Sequence, residues 1–336
     1  MINKKTKFCK AAALLGAAVM MISALAGCGK NTKVVLTAGL KKNEVFRISS
    51  ASCVLPEVMV YLTNMQNQYE SVYGSQIWNA SDGQLSLEQE EREQVLTQLA
   101  RIKVMNLLAQ KKEVTLDDKE KARAAAAGRE YFTSLNSAEV TALNVTQDLI
   151  TKMYEEYALA EKVYQTIVEN VNPEVSDDEA RTITVDMIRV SDSAKASQVL
   201  GKAKEEGVDF ETLAQAESED QTVTQSFGKG EVSEALEKAA FNLGKDEISD
   251  VVESDGSYYI LKCISTFDEA QTKANKEKIV KQRQSEAFDT EYTAFEQTLV
   301  RQLNEELWNS VTMIHQDDVK TSSFFEVYQM YFQHQE

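Results

Sequence analysis

Cysteine and histidine, the residues most often at metal centres and thiol or imidazole sites, are few in this 336-residue chain: four cysteines and two histidines. His315 and His334 both lie near the C-terminus, and no cysteine or histidine pair has the short spacing of a metal site. No metal and no cofactor is therefore expected. Cys9 falls in an N-terminal segment in which Lys4, Lys5, Lys7 and Lys10 precede an apolar run over 11–26. That run reads as an export signal over 1–27, because about 20 apolar residues are needed to cross a bilayer and small residues close this one. Cys28 directly follows that segment, which leaves Cys53 and Cys263 in the body of the chain. An exported chain permits them to pair, but sequence supplies no geometry, and two unpaired buried thiols are the expectation.

Charge narrows the partners. The net formal charge is −17, and the first 27 residues carry four lysines and no acid, so the rest stands at −21. Such a chain is a poor ligand for nucleic acid or for anionic lipid headgroups. A hydrophobic content of 43% still provides for buried cores, and the length suits two or three domains.

The stretch most suggestive of a built site is "FGKGEVSEALEKAAFNLGKDEISDVV", residues 227–252. A two-glycine turn leads into a short helical pattern with Leu236, Ala240 and Phe241 on one side, and a second glycine turn leads into a β-branched run. Around it, "ITVDMIRV" reads as a strand, "SAKASQVLGKAKEEG" as a helix ending at Gly207, "DFETLAQAES" as a shorter helix capped by Asp209, and "SYYILKCIS" as a closing strand.

The flanks have a different period. "VVLTAGL" and "EVFRI" read as strands joined by a turn at 41–43. A helix begins near Pro56 with Val58, Leu62, Met65, Tyr69 and Val72 at spacings of three and four. Further helices are expected over 86–112, from a cap at Thr115 and Asp118, and over 146–169, where Leu149, Met153, Tyr157, Ala160, Tyr164 and Ile167 form a stripe made aromatic by its two tyrosines. That stripe is core packing or, if exposed, a surface for apolar peptide. The segment 170–180, with Pro173, reads as a linker, and a single long helical pattern covers 268–309. The fold class is α+β, a small module of strands and helices inserted between helical arms, with no internal repeat.

Two resemblances follow. "LAGC" resembles the lipobox of bacterial lipoproteins, which implies lipidation of Cys28 and a membrane anchor; an ordinary cleaved signal is the plainer alternative. The order of elements over 181–266, with "DFETLAQAES", Ser218, Asp220, "FGKG", "EKAAF", "DEISDVV" and "YYILK", resembles a parvulin-type peptidyl-prolyl isomerase domain. The whole plan resembles extracytoplasmic foldase lipoproteins of Gram-positive bacteria and, more distantly, periplasmic parvulin chaperones. The division implied is 1–27 signal, 28–175 helical chaperone-like region, 176–268 parvulin-like domain with a small antiparallel sheet, and 269–336 helical arm packing with the N-terminal region.

The resemblance implies a proline pocket floored by Val232 and Leu236 beside Met187, and a polar network of Asp220 and Tyr259. It also exposes departures. Met187 and Tyr259 stand where the family has histidines, and the loop before "FGKG" shortens to "QTVTQS". Asp220 has the alternative of a solvated surface acid, and Tyr259 that of a core or edge-strand tyrosine. The implied partners are unfolded exported polypeptides with Xaa-Pro bonds and the membrane. Three functions compete: a foldase with isomerase activity, a holdase with a degenerate parvulin domain, and a solute-binding lipoprotein. The last lacks the repeated βα units it would need.

Overall fold

The computed structural model describes residues 39–80 and 86–333. Cys28, the export signal, most of the strand expected over 34–40, and His334 lie outside the described residues. Contacts divide the chain into two units, one up to Asn170 and from Ala287 onward, the other Val171–Glu286.

The first unit opens with a hairpin, β1 (Glu44–Ile48) and β2 (Ala51–Val54), turned by Ser49 at φ +50°. β2 runs directly into α1 (Leu55–Tyr73). Pro56 occupies the first turn, where its missing N–H costs nothing, and Glu57 accepts the Val54 N–H at 2.7 Å. Helices α2 (Leu87–Lys111), α3 (Asp118–Ser134), α4 (Ser137–Leu143) and α5 (Gln147–Val168) follow, each with a side-chain cap. The cap of α3 is Asp117 in a reciprocal box with Glu120, at 2.8 and 2.6 Å, rather than Thr115 with Asp118. Val72, expected on the apolar stripe of α1, is exposed at the end of the helix.

The second unit runs through α6 (Asp177–Ala180), β3 (Thr182–Val190), α7 (Ser193–Ala203), α8 (Phe210–Glu217), β4 (Thr224–Gly228), α9 (Glu234–Phe241), β5 (Val252–Ser254) and β6 (Ser257–Ser265). The strands form one antiparallel sheet in the order β4-β3-β6-β5. β4 corrects the reading of 221–226 as a loop. Thr224, Gln225 and Ser226 pair with β3 through polar contacts, Thr224 Oγ1 to Asp186 Oδ1 at 2.6 Å and Thr184 to Ser226 at 2.8 Å, so no apolar alternation announces the strand. One sheet face packs Ile188, Val190 and Ile260 against α7 and α8, and the other carries Ile183, Val185, Met187, Phe227 and Leu261.

Helix α10 (Glu269–Glu296) begins in the second unit and ends in the first. The pattern expected to continue to 309 stops at Glu296, because residues 301–303 leave as β7 (Arg301–Leu303), which pairs with β1 as Ile48↔Arg301 and Phe46↔Leu303. The chain closes with α11 (Glu305–Asn309) and α12 (Phe324–Phe332).

Between α11 and α12 the backbone has no ladder of its own, and side chains of the first unit take its polar groups. Gln66 both donates to Ile314 O at 2.9 Å and accepts from Ile314 N at 3.1 Å, and Asn67 donates to Thr321 O at 2.9 Å. Glu139 accepts from Lys320 N and Thr321 N at 2.8 and 2.6 Å. Burial opposes charge on Glu139, but these donors hold its carboxyl below the usual range. Phe324 then enters the core, stacked on Tyr154 at 4.4 Å and meeting Tyr131 edge-on at 5.3 Å. The aromatic stripe of α5 is thus covered, with Tyr157 and Tyr154 against Tyr328 of α12.

Candidate functional site

The "FGKG" turn has a steric reason for both glycines. A Cβ on Gly228 would come within 2.5 Å of Asn275 Nδ2, and Gly230 sits at φ +79°. Two acids fix the turn: Glu231 accepts Gly228 N–H at 2.8 Å and Glu237 accepts Gly230 N–H at 2.6 Å. Lys278 pairs with Glu231, and Ser254 donates to Ser233 at the start of α9 at 2.7 Å. The turn therefore delivers Val232 and α9 onto the sheet at a set angle.

On that face the structure brings together four of the side chains singled out from sequence. Met187 and Leu236 belong to one apolar cluster with Phe227 and Leu261, and Val232 and Tyr259 pack against it. Met187 and Leu236 are each 8% exposed, so the floor is already well filled by its own side chains. Val232 and Tyr259 are half-buried and form its accessible margin. Register fixes the neighbours of Tyr259: Arg189 on one side and Val252 on the other.

Asp220 lies just past α8 and makes an ion pair: Arg189 Nε donates to its Oδ1 at 2.7 Å. The Glu219 carboxylate stands 3.6 Å from Arg189 Nη1. Backbone bonds fasten the same segment to β3, Glu219 N to Arg189 O at 2.9 Å and Arg189 N to Ser218 Oγ at 3.1 Å. The Asp220 hydrogen bond raises the pKa of Arg189 further, against some desolvation, and the Tyr259 hydroxyl adds in the same direction. Arg189 was invisible to motif reading. The one signal that could have found it is a cation at the same two-residue period as Ile183, Val185 and Met187.

This face presents a half-buried apolar margin, Val232 and Tyr259, over a filled floor, next to a fixed guanidinium and a phenol. Cys53 and Cys263 are free and buried, one in each unit, and burial raises both thiol pKa values. Among the described residues, no group of three or more His, Cys, Asp or Glu side chains is placed to hold a metal ion. Among the same residues, no helix is long and apolar enough to cross a membrane.

Residues 145–278 match the family of PPIC-type PPIase domains. The chain carries a domain of this kind. The match starts at the head of α5 and ends within α10, enclosing the whole four-stranded sheet. Foldase protein PrsA from Streptococcus pneumoniae strain Hungary19A-6 is 31% identical over 165 residues, covering 44% of this chain and 53% of that protein, and the protein of strain CGSP14 matches equally. The chain thus spans about half the length of the curated relatives it matches. Among solved structures, foldase protein PrsA of S. pneumoniae Canada MDR_19A aligns at TM-score 0.28 and 23% identity over 73% of this chain and 92% of that one. Peptidylprolyl isomerase (PrsA) of Bacillus cereus aligns at 0.37 and 19%, over 72% and 91%. Within the PPIC-type domain, Met187 and Tyr259 lie on one sheet face, and Asp220 joins them through Arg189.

Proposed function

We propose that this protein is a folding factor for exported polypeptides, whose PPIC-type domain binds Xaa-Pro segments and speeds their cis-trans isomerisation. The observation that carries the reading is the family match over a unit whose sheet gathers Met187, Val232, Leu236 and Tyr259 on one face. Rotation about the Xaa-Pro amide faces a barrier of about 18–20 kcal/mol and needs no covalent intermediate. A face that takes up the proline ring removes water from the amide, and polar groups at its margin act on the amide itself. The purified protein should shorten the slow phase of a proline-limited refolding reaction; an unchanged slow phase would refute the isomerase.

A second reading, a holdase with a non-catalytic domain, draws on two observations: Met187 and Tyr259 in place of histidines, and Asp220 engaged in an ion pair. Deleting 176–268 separates the two, since a holdase built on the helical regions 28–175 and 269–336 keeps its suppression of client aggregation. We further propose that the chain is exported through 1–27 and anchored by lipid on Cys28, on the extracytoplasmic face of the membrane. Cys28→Ala should then shed the protein from membranes into the medium; continued membrane association would refute the anchor.

A further inference from the structure

Strand β3 turns alternate side chains toward the face that carries Met187. Ile183, Val185 and Met187 are its apolar members, and Arg189 comes next at the same period. A guanidinium therefore ends an aliphatic row, directly across the ladder from Tyr259. Its position is fixed, by Asp220 at Nε and by Glu219 beside Nη1, while Ser218 and Glu219 hold its backbone on both sides. The side chain is 28% exposed, so a bound peptide can reach the rest of the fork.

An amide resists rotation because its nitrogen lone pair is delocalised into the carbonyl. As the bond twists, the lone pair returns to nitrogen, which becomes a hydrogen-bond acceptor only then. A donor placed at that nitrogen stabilises the twisted state without stabilising the planar one, which is what lowers a barrier. A donor on the carbonyl oxygen would do the reverse. The proline nitrogen belongs to the ring, and Arg189, the next same-face position of β3 about 6.5–7 Å from Met187, has a side chain long enough to reach that nitrogen in a ring seated over Met187.

The geometry points to Arg189 as the catalytic group of this face, donating a guanidinium N–H to the proline nitrogen of the twisted Xaa-Pro amide, with Asp220 as the positioning residue that aims the fork. No covalent bond is made or broken, and the proton stays on Arg189. The inference rests on the isomerase reading of the same face.

The test compares purified wild type, Arg189→Met, Arg189→Lys and Asp220→Asn. Three readouts are taken: kcat/KM for a Xaa-Pro tetrapeptide, Kd for the same peptide, and thermal unfolding. Arg189→Met should lose about ten-fold or more in kcat/KM with Kd nearly unchanged, at or below the about 10²–10³-fold lost with a pre-organised donor elsewhere. Arg189→Lys should lose nearly as much, because an ammonium cannot hold Asp220 and present a second N–H in one plane. Asp220→Asn should lose less than either. Wild-type rates in Arg189→Met would overturn the assignment and leave the isomerase standing. A wild type that binds the peptide without accelerating it would overturn the isomerase, and Arg189 with it. Should Arg189→Met fail to fold, wild-type rates in both Arg189→Lys and Asp220→Asn would overturn the assignment.

Discussion

Glu44 keeps its charge where burial opposes it. Its side chain is fully covered, yet hydrogen bonds from Arg47 and from Lys41 N–H bring its pKa from the ordinary 4.5 down to about 2. A carboxyl depressed in the folded state contributes stability that is complete above about pH 4.5 and lost as pH falls toward 2, here at most about 3 kcal/mol. Arg47→Met should therefore raise the pH midpoint of acid unfolding, followed by circular dichroism; an unmoved midpoint would show that Arg47 does not hold this charge. Lys103 makes the opposite demand. It is buried between Glu57 at 2.7 Å and Glu156 at 2.6 Å, and its removal leaves the buried Glu57 without its cation and Glu156 with only the more exposed Lys152 at 3.4 Å. Lys103→Met should cost about 3–5 kcal/mol in urea unfolding, whereas an exposed pair would cost less than about 1.

At the scale of elements, the "FGKG" turn and α12 carry the sharpest expectations. Gly230 needs φ +79°, a conformation that costs an L side chain about 1–2 kcal/mol, so Gly230→Ala should lower the stability of the second unit by that amount. Under the proposed function it should also weaken binding of a Xaa-Pro peptide, because the same turn sets the approach of Val232 and α9. Helix α12 buries Phe324, Val327 and Tyr328 in the first unit. At about 1.5–3 kcal/mol for each large apolar side chain, those three alone approach the about 5–15 kcal/mol that holds a whole domain folded. A chain ending at Ser323 should lose the cooperative melt of the first unit and expose Tyr61, Tyr131 and Tyr154; a retained melt would mean that α12 is dispensable.

For the molecule as a whole, the cores close separately. The large cluster draws only on residues up to Val168 and from Phe288, and both sheet clusters draw only on the second unit. Calorimetry should resolve two transitions, with Lys103→Met lowering one and Gly230→Ala the other. Both substitutions moving a single shared transition would show instead that the units unfold as one. A net charge of −17 also makes nucleic acid a poor ligand for this chain, and filter binding at low salt should detect no retention.

Periodicity and caps placed most of these elements, because hydrophobic spacing and N-cap chemistry are local. Pro56, Ser86, Asp209 and the α5 stripe all act within a turn or two of the chain. The order of motifs around "FGKG" was equally local, and it pointed to the PPIC-type domain before any contact was known. The elements that escaped depend on distant partners. β4 is polar because its pairing with β3 supplies what its own pattern lacks, and β7 interrupts a helical run because β1 is there to pair with it. The segment before α12 has no local signature, since Gln66, Asn67 and Glu139 hold it across some 180 to 250 positions of sequence. Arg189 belongs with these. Sequence determined that a cation sits in a strand; only the tertiary fold decided that Asp220 fixes it beside Tyr259 at the edge of the sheet face that carries Met187, because that pairing joins residues 31 positions apart.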